Sequence, residues 1–319
     1  MALHLTKSRP PTADLHPEPA PPRGRLLSRI DTRWSPYLFI APFFVIFAVF
    51  GIYPLVYTAW VSMHDWEIAG KGEFVGLANY TALFADADFW NALVNTLGML
   101  VLATVPQLVI ALALAALLNQ SLRGATFLRM GVLIPIVTSV AAVGIVFSQI
   151  YDRDVGMANG LIGLFGIEPI DWRADKWSSW IAISSMVNWR WTGYNAIIYL
   201  AAMQSIPREL YEAARIDGAG WLRQFRSITV PMIRPAVIFT LIVSTIAGMQ
   251  LFTEPLMFGQ GAYAISGGSL RQFQTVAMYM FEKAFRDFDY GYGSAVAWMI
   301  FLVIMLLTAV NFLITRKRG

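Results

Sequence analysis

Between Trp34 and His64 the chain carries no acidic or basic side chain, a stretch long enough for one helix to cross the roughly 30 Å hydrocarbon core of a bilayer. Such a run leaves the backbone little choice. In hydrocarbon every N–H and C=O must be satisfied inside the segment, and a helix does so. Further apolar runs follow at about residues 91–119, 130–150, 177–203, 235–258 and 290–315. Only 14% of residues are charged, little more than half the share in soluble domains, and mean hydropathy is +0.55. The expectation is an all-α polytopic membrane protein with six transmembrane helices. The same inventory excludes some chemistry. There is no Cys, hence no disulfide, thiolate metal site or catalytic thiol. His4, His16 and His64 all lie outside the apolar runs, so no His-based metal or proton-relay site is expected, and no catalytic constellation stands out.

Charge placement orients the spans. Residues 1–33, with Pro10, Pro11, Pro17, Pro19, Pro21 and Pro22, read as a disordered tail ahead of a transmembrane domain over 34–319. Arg23, Arg25, Arg29 and Arg33 hold that tail in the cytoplasm, and Arg316-Lys317-Arg318 do the same for the other end. The segments predicted to be cytoplasmic hold 16 of the 24 Lys and Arg; the predicted external ones hold 7, with 13 of the 20 acids. Pro106 and Gln107 are expected to interrupt the second span, and Pro135 lies within the third. Short helices are expected around the glycines of 151–176 and over Gln274–Phe285.

The polar stretch between the fourth and fifth spans, about 205–235, is the most distinctive. Ser205-Ile206-Pro207 starts a helix carrying Glu209, Glu212, Ala213, Ala214 and Asp217. Gly218-Ala219-Gly220 breaks it, and a second helix is expected over Trp221–Thr229, stopped by Pro231. The spacing Glu212-Ala213-Ala214, Asp217-Gly218-Ala219, Phe225, Pro231 resembles the signature loop of permease subunits of binding-protein-dependent ABC importers. It looks like the carbohydrate-uptake group, similar to the maltose and glycerol-phosphate permeases. Val230 stands where Leu is common in that loop; Phe285-Arg286-Asp287-Phe288-Asp289-Tyr290-Gly291-Tyr292 is similar to the stretch before their last span. The resemblance implies a multi-pass protein of the bacterial inner membrane. Its partners would be a second homologous permease, two ATP-binding subunits and an extracytoplasmic sugar-binding protein. It also implies that the eight residues named from Glu212 to Pro231 couple to the ATPase. ATP and Mg would be bound by that ATPase, since no G-x-x-x-x-G-K-[ST] loop occurs in this chain. Nothing calls for a nucleic-acid partner.

Span 4 holds Asn188, Trp189, Arg190, Trp191, Tyr194 and Asn195 within two turns, with Asn188, Trp191 and Asn195 on one face. Polar groups at membrane depth turn away from lipid. Amides and aromatic rings together match sugar hydroxyls and C–H faces, so Asn188, Trp189, Trp191, Tyr194 and Asn195 are candidates for the substrate path, as are Gln250 and Glu254, four apart on span 5. The plainer alternatives are packing tryptophans, Arg190 paired with Glu254, and a wet Glu254 at the helix end. Gln107 and Gln149 are weaker candidates. Other classes fit less well. An ion-coupled secondary transporter would need buried acids or His beyond Glu254 and Arg190, and a membrane enzyme would have only Asp152 and Asp154 as a close acidic pair. A phosphorylated polyol such as glycerol phosphate is the competing substrate; Arg190 would be its only cation, so a di- or oligosaccharide is preferred.

Overall fold

The computed structural model describes residues 25–68, 70–120 and 123–316. The chain divides into two units, one ending at Val56 and one beginning at Tyr57. In the first, α1 (Arg25–Phe47) runs through a wider turn at Ala48–Ile52 into α2 (Tyr53–Val61), which crosses the boundary. α1 begins at Arg25, inside the segment read as tail: the proline cluster ends at Pro22, and the helix runs on through Pro36 and Pro42. Residues 1–24, the rest of that expected tail, lie outside the described residues, as do Lys317 and Arg318.

The second unit opens with a departure from an all-α chain, an antiparallel hairpin of β1 (His64–Glu67) and β2 (Gly70–Phe74). Then come α3 (Ala78–Ala85), α4 (Ala87–Leu118), α5 (Ala125–Val137), α6 (Val140–Ile150), α7 (Met157–Gly163) and α8 (Lys176–Gln204). α9 (Arg208–Ile216) leads to α10 (Trp221–Gln224), and a wide turn at Phe225–Thr229 to α11 (Val230–Met232). α12 (Arg234–Met249), α13 (Thr253–Phe258), α14 (Val276–Phe281) and α15 (Tyr290–Arg316) complete it. Among the described residues, Trp34–Val61, Ala87–Leu118 and Tyr290–Leu313 are long and apolar enough to cross a membrane, and two bent pairs raise the number to five. α8, polar through its middle, is not in that set.

α4 and α8 form the spine, running parallel. Met99 packs with Trp180, Ile183 and Met186 toward one end, and Ala111, Ala115 and Leu118 pack with Ala196, Tyr199 and Met203 toward the other. Small residues permit the close approaches. A Cβ on Gly193 of α8 would lie 1.9 Å from the Val132 carbonyl oxygen of α5, and one on Gly98 of α4 would lie 2.1 Å from the Trp180 ring. Close backbone approach of this kind, rather than apolar bulk, associates helices in lipid.

Three expectations are corrected. α4 passes Pro106 without a break, because a helix buried among neighbours keeps the remaining bonds. The third span is two helices, α5 and α6, at 91°, parted at Thr138 and Ser139, whose backbones are extended just after Pro135. The fifth ends at Met249 and restarts at Thr253. Pro255 in the first turn of α13 suits a helix start, and Leu251 in the gap gives its carbonyl to the Thr275 hydroxyl at 2.6 Å.

Candidate functional site

Between α4, α8, α12 and the α12–α13 break lies a cavity of about 260 Å³. α4 contributes Met99, Leu100, Ala103, Thr104 and Gln107; α8 contributes Val187, Trp191 and Asn195; α12 contributes Val243, Ser244, Ala247 and Gly248. Gln250 to Glu254 close it. The wall is apolar with neutral hydrogen-bonding groups set into it, and Glu254 is its single charged residue. From α8 the stripe at four-residue spacing, Val187, Trp191 and Asn195, faces in.

Four of the seven expected path residues therefore meet here: Trp191, Asn195, Gln250 and Glu254. Asn188, Trp189 and Tyr194 do not line the cavity. Trp189 is 44% exposed with its ring 5.7 Å from Phe147, Tyr194 sits edge-on to Trp191 at 5.9 Å, and the Asn188 side-chain oxygen is buried without a partner. Gln250 and Glu254 do not share a helix face, because the break lies between them; they reach the cavity from its two sides. Nor is Glu254 wet. It is 7% exposed, and Arg190 Nη1 donates to its Oε1 at 2.9 Å. Gln107 joins the cavity and Gln149 does not. Thr104, Ser244 and Thr253 were not anticipated, since a hydroxyl in an apolar run ordinarily bonds its own helix and gives no signal.

At the opposite end of α8 the polar stretch forms a helical hairpin. α9 closes with Gly218 N–H donating to the Arg215 carbonyl at 3.0 Å and Ala219 N–H to the Ala214 carbonyl at 2.8 Å, with Gly218 left-handed at φ +75°. This is the paired C-terminal motif that favours glycine. The second arm is longer than expected, since Pro231 continues it to Met232 from a position where its missing N–H costs little. Tyr211 and Thr229 hydroxyls meet at 2.8 Å across the arms, and Trp221 stacks on Phe225 at 5.6 Å. Of the expected coupling residues, Glu212, Ala213, Asp217, Gly218 and Pro231 are exposed, and Ala214, Ala219 and Phe225 half-buried. Ile216 at the tip is 87% exposed, with Trp221 and Leu222 exposed beside it. A polar cavity of about 750 Å³ underlies the hairpin, bounded by Asn119, Gln204, Arg208, Glu212, Arg215 and Gln224 among others.

The other end of the helices is tied by a polar network that sequence reading missed. Glu282, 4% exposed, accepts from Ser266 at 2.8 Å, Gln274 at 2.6 Å, Arg271 at 2.6 Å and Arg286 at 3.1 Å. Burial pushes its carboxyl up, but the bonds from Arg271, Ser266 and Gln274 outweigh this and hold it below the usual range. Tyr279 and Tyr292 donate to Asp86, ahead of α4. Asp86 lies 193 and 206 residues from Tyr279 and Tyr292, and the Glu282 partners Ser266, Arg271 and Gln274 come from a loop with no regular spacing, so no periodic pattern announces the network.

Long apolar helices packed closely around an apolar cavity set with neutral polar groups suit a membrane transport chain. A model of the family described as binding-protein-dependent transport system inner membrane component matches residues 87–318, and the chain belongs to that family. It is a multi-pass inner-membrane permease. It is 36% identical over 289 residues to the lactose transport system permease protein LacF of Rhizobium radiobacter, covering 88% of this chain and 94% of the relative. It is 35% identical over 302 residues to the sulfoquinovosyl glycerol transport system permease protein SmoG of Agrobacterium fabrum, covering 93% and 95%. Its fold matches a chain of the crystal structure of a bacterial alginate ABC transporter in complex with an alginate pentasaccharide-bound periplasmic protein. That match has TM-score 0.78 at 20% identity, covering 92% of this chain and 98% of the other.

Proposed function

We propose that this chain is one permease half of an ATP-driven sugar importer, most suited to a di- or oligosaccharide. It has six spans, with both termini and the α9–α11 hairpin in the cytoplasm. The bent pair α5–α6 counts as one span, α12 with α13 beyond its break as another, the α10–α11 arm that bends by 63° into α12 belongs to the hairpin, and α8 is the polar-cored fourth. The hairpin lies at the opposite end of α8 from the acid-rich segments, as the charge rule requires.

The observation that carries the reading is the hairpin itself. Ile216, Trp221 and Leu222 stand exposed on a rigid helix–turn–helix whose polar neighbours keep it out of the bilayer. Such a tip fits a cleft on a soluble subunit. The partners are two ATP-binding subunits, which hold ATP and Mg, a second homologous permease and an extracytoplasmic sugar-binding protein. Closure of the ATPases moves the docked hairpins and rocks the permeases between inward- and outward-facing states, so the cavity opens to each side in turn. The relatives' names support the substrate class, and the amide and hydroxyl lining supports it independently.

The test is to extract the tagged chain from native membranes in mild detergent and identify what stays bound by mass spectrometry. An ATPase, a second permease and a solute-binding protein are expected. A chain that comes down alone, yet moves solute in vesicles without ATP, refutes the reading.

A further inference from the structure

The cavity is built from neutral polar groups except at one point. Glu254 lines it, and Arg190, which does not, stands behind. Their side chains are 9% (Glu254) and 12% (Arg190) exposed, and their 2.9 Å bond uses Glu254 Oε1 and Arg190 Nη1. Arg190 is held from its other side as well, with its guanidinium 6.0 Å from the Trp191 ring centre. Among the described residues Glu254 accepts a protein hydrogen bond at Oε1 alone, which leaves Oε2 of this cavity-lining residue available to a ligand.

A ligand entering from this chain's side meets a carboxylate oxygen first, with the cation screened behind it. Polar sites in low dielectric are sensitive to such an arrangement. A sugar hydroxyl can donate to Glu254 Oε2. A phosphate, sulfonate or carboxylate would meet a carboxylate of its own sign, with Arg190 bonded to Glu254 through Nη1 and outside the cavity lining. A cationic sugar would gain little, because Arg190 cancels the charge.

We infer that Glu254 is a specificity-determining residue that selects uncharged glycosides, and that Arg190 is a positioning residue that keeps the carboxylate oriented and its charge balanced. This deepens and rests on the sugar-path reading. It separates the chain from permeases for acidic or phosphorylated substrates, a distinction that overall similarity leaves open, since its relatives include one named for lactose and one for a sulfonated glycoside.

The experiment measures direct binding to the full importer in nanodiscs, with the binding protein omitted so that only the membrane cavities choose. Probes are radiolabelled lactose and cellobiose, their aldonates lactobionate and cellobionate, and galactosamine as a cation. Wild type is expected to bind the neutral sugars at least tenfold more tightly than the aldonates and no less tightly than the amine. Glu254→Gln keeps the shape, leaves Arg190 unneutralised and shifts the neutral-to-anion ratio toward the aldonates by at least tenfold. The double variant Arg190→Gln/Glu254→Gln, which buries no lone charge and carries the test if the single variant fails to fold, falls between the two. An unchanged ratio in the variants, with all affinities falling together, reduces the pair to a structural tie and overturns the inference. So does wild-type preference for an aldonate or for galactosamine. If wild type binds no probe, the sugar path itself is refuted.

Discussion

Replacing Gly218 isolates the hairpin turn from everything else in the chain. The residue sits at φ +75°, and no atom lies within 4 Å of a Cβ built on it, so a substitution there is opposed by backbone conformation alone. For an L residue the left-handed region costs about 1–2 kcal/mol, so Gly218→Ala weakens the α9 cap by that amount. Gly218→Pro does more. The ring holds φ near −65° and removes the N–H that donates to the Arg215 carbonyl at 3.0 Å, which together cost about 3 kcal/mol and open the turn. Gly220 is the control: its φ is −65° and its Cβ direction is also empty, so Gly220→Ala is close to neutral. Hydrogen exchange on the importer in nanodiscs reads the effect at Ala219, whose N–H bonds the Ala214 carbonyl at 2.8 Å. About 1.4 kcal/mol corresponds to tenfold faster exchange in Gly218→Ala, with Gly220→Ala unchanged. In reconstituted vesicles Gly218→Pro is expected to abolish ATP-driven uptake while thermal unfolding of the spans stays near wild type. Normal uptake by Gly218→Pro, or equal effects at Gly218 and Gly220, refutes the argument.

Gly193→Ala places a methyl 1.9 Å from the Val132 carbonyl oxygen, so α5 and α8 must part. A loss of about 3 kcal/mol, the upper end for overpacking, is expected as a lower thermal midpoint in detergent, whereas Gly160→Ala, facing open space, stays near wild type. Ala247→Phe fills the cavity of about 260 Å³ and is expected to stop uptake without dissociating the complex, checked by co-purification of the ATPase. Glu282→Gln removes a carboxylate whose folded pKa is depressed, so its stabilisation is present above the ordinary value of 4.5 and is lost as pH falls through the folded one. Thermal scans are therefore expected to show the variant about 3 kcal/mol less stable at pH 7, with the gap closing below pH 4.5.

What could be read locally was read well. The limits of α8 follow from Asp175, whose carboxylate caps Trp177 and Ser178, and from the apolar run behind it. The Gly218 turn follows from a residue type that suits a positive φ, and the hairpin spacing pointed to the family before any fold was known. The spans followed from hydropathy, because lipid forces backbone bonding inside each segment. The bends were less legible. Pro106 and Pro135 look alike in sequence, yet only the span around Pro135 breaks, and the outcome depends on the packing around each.

Membership of the cavity was a tertiary decision. Trp191 and Asn195 line it while Trp189 and Tyr194 do not, because facing α4 and α12 determines which stripe of α8 is enclosed. In the sequence Glu254 was a path candidate, with a wet helix end beside Pro255 and a pairing with Arg190 as the plainer alternatives. Its partner Arg190 lies 64 residues away, and only their meeting makes the carboxylate a buried, neutralised acceptor. Backbone propensity, capping and hydropathy act over a few residues, so the sequence by itself determined the helices, the hairpin and the membrane. The surroundings of a charge are summed over every element packed against it, so only the tertiary structure decided which polar groups share the cavity and which tie the helices together at the end away from the hairpin.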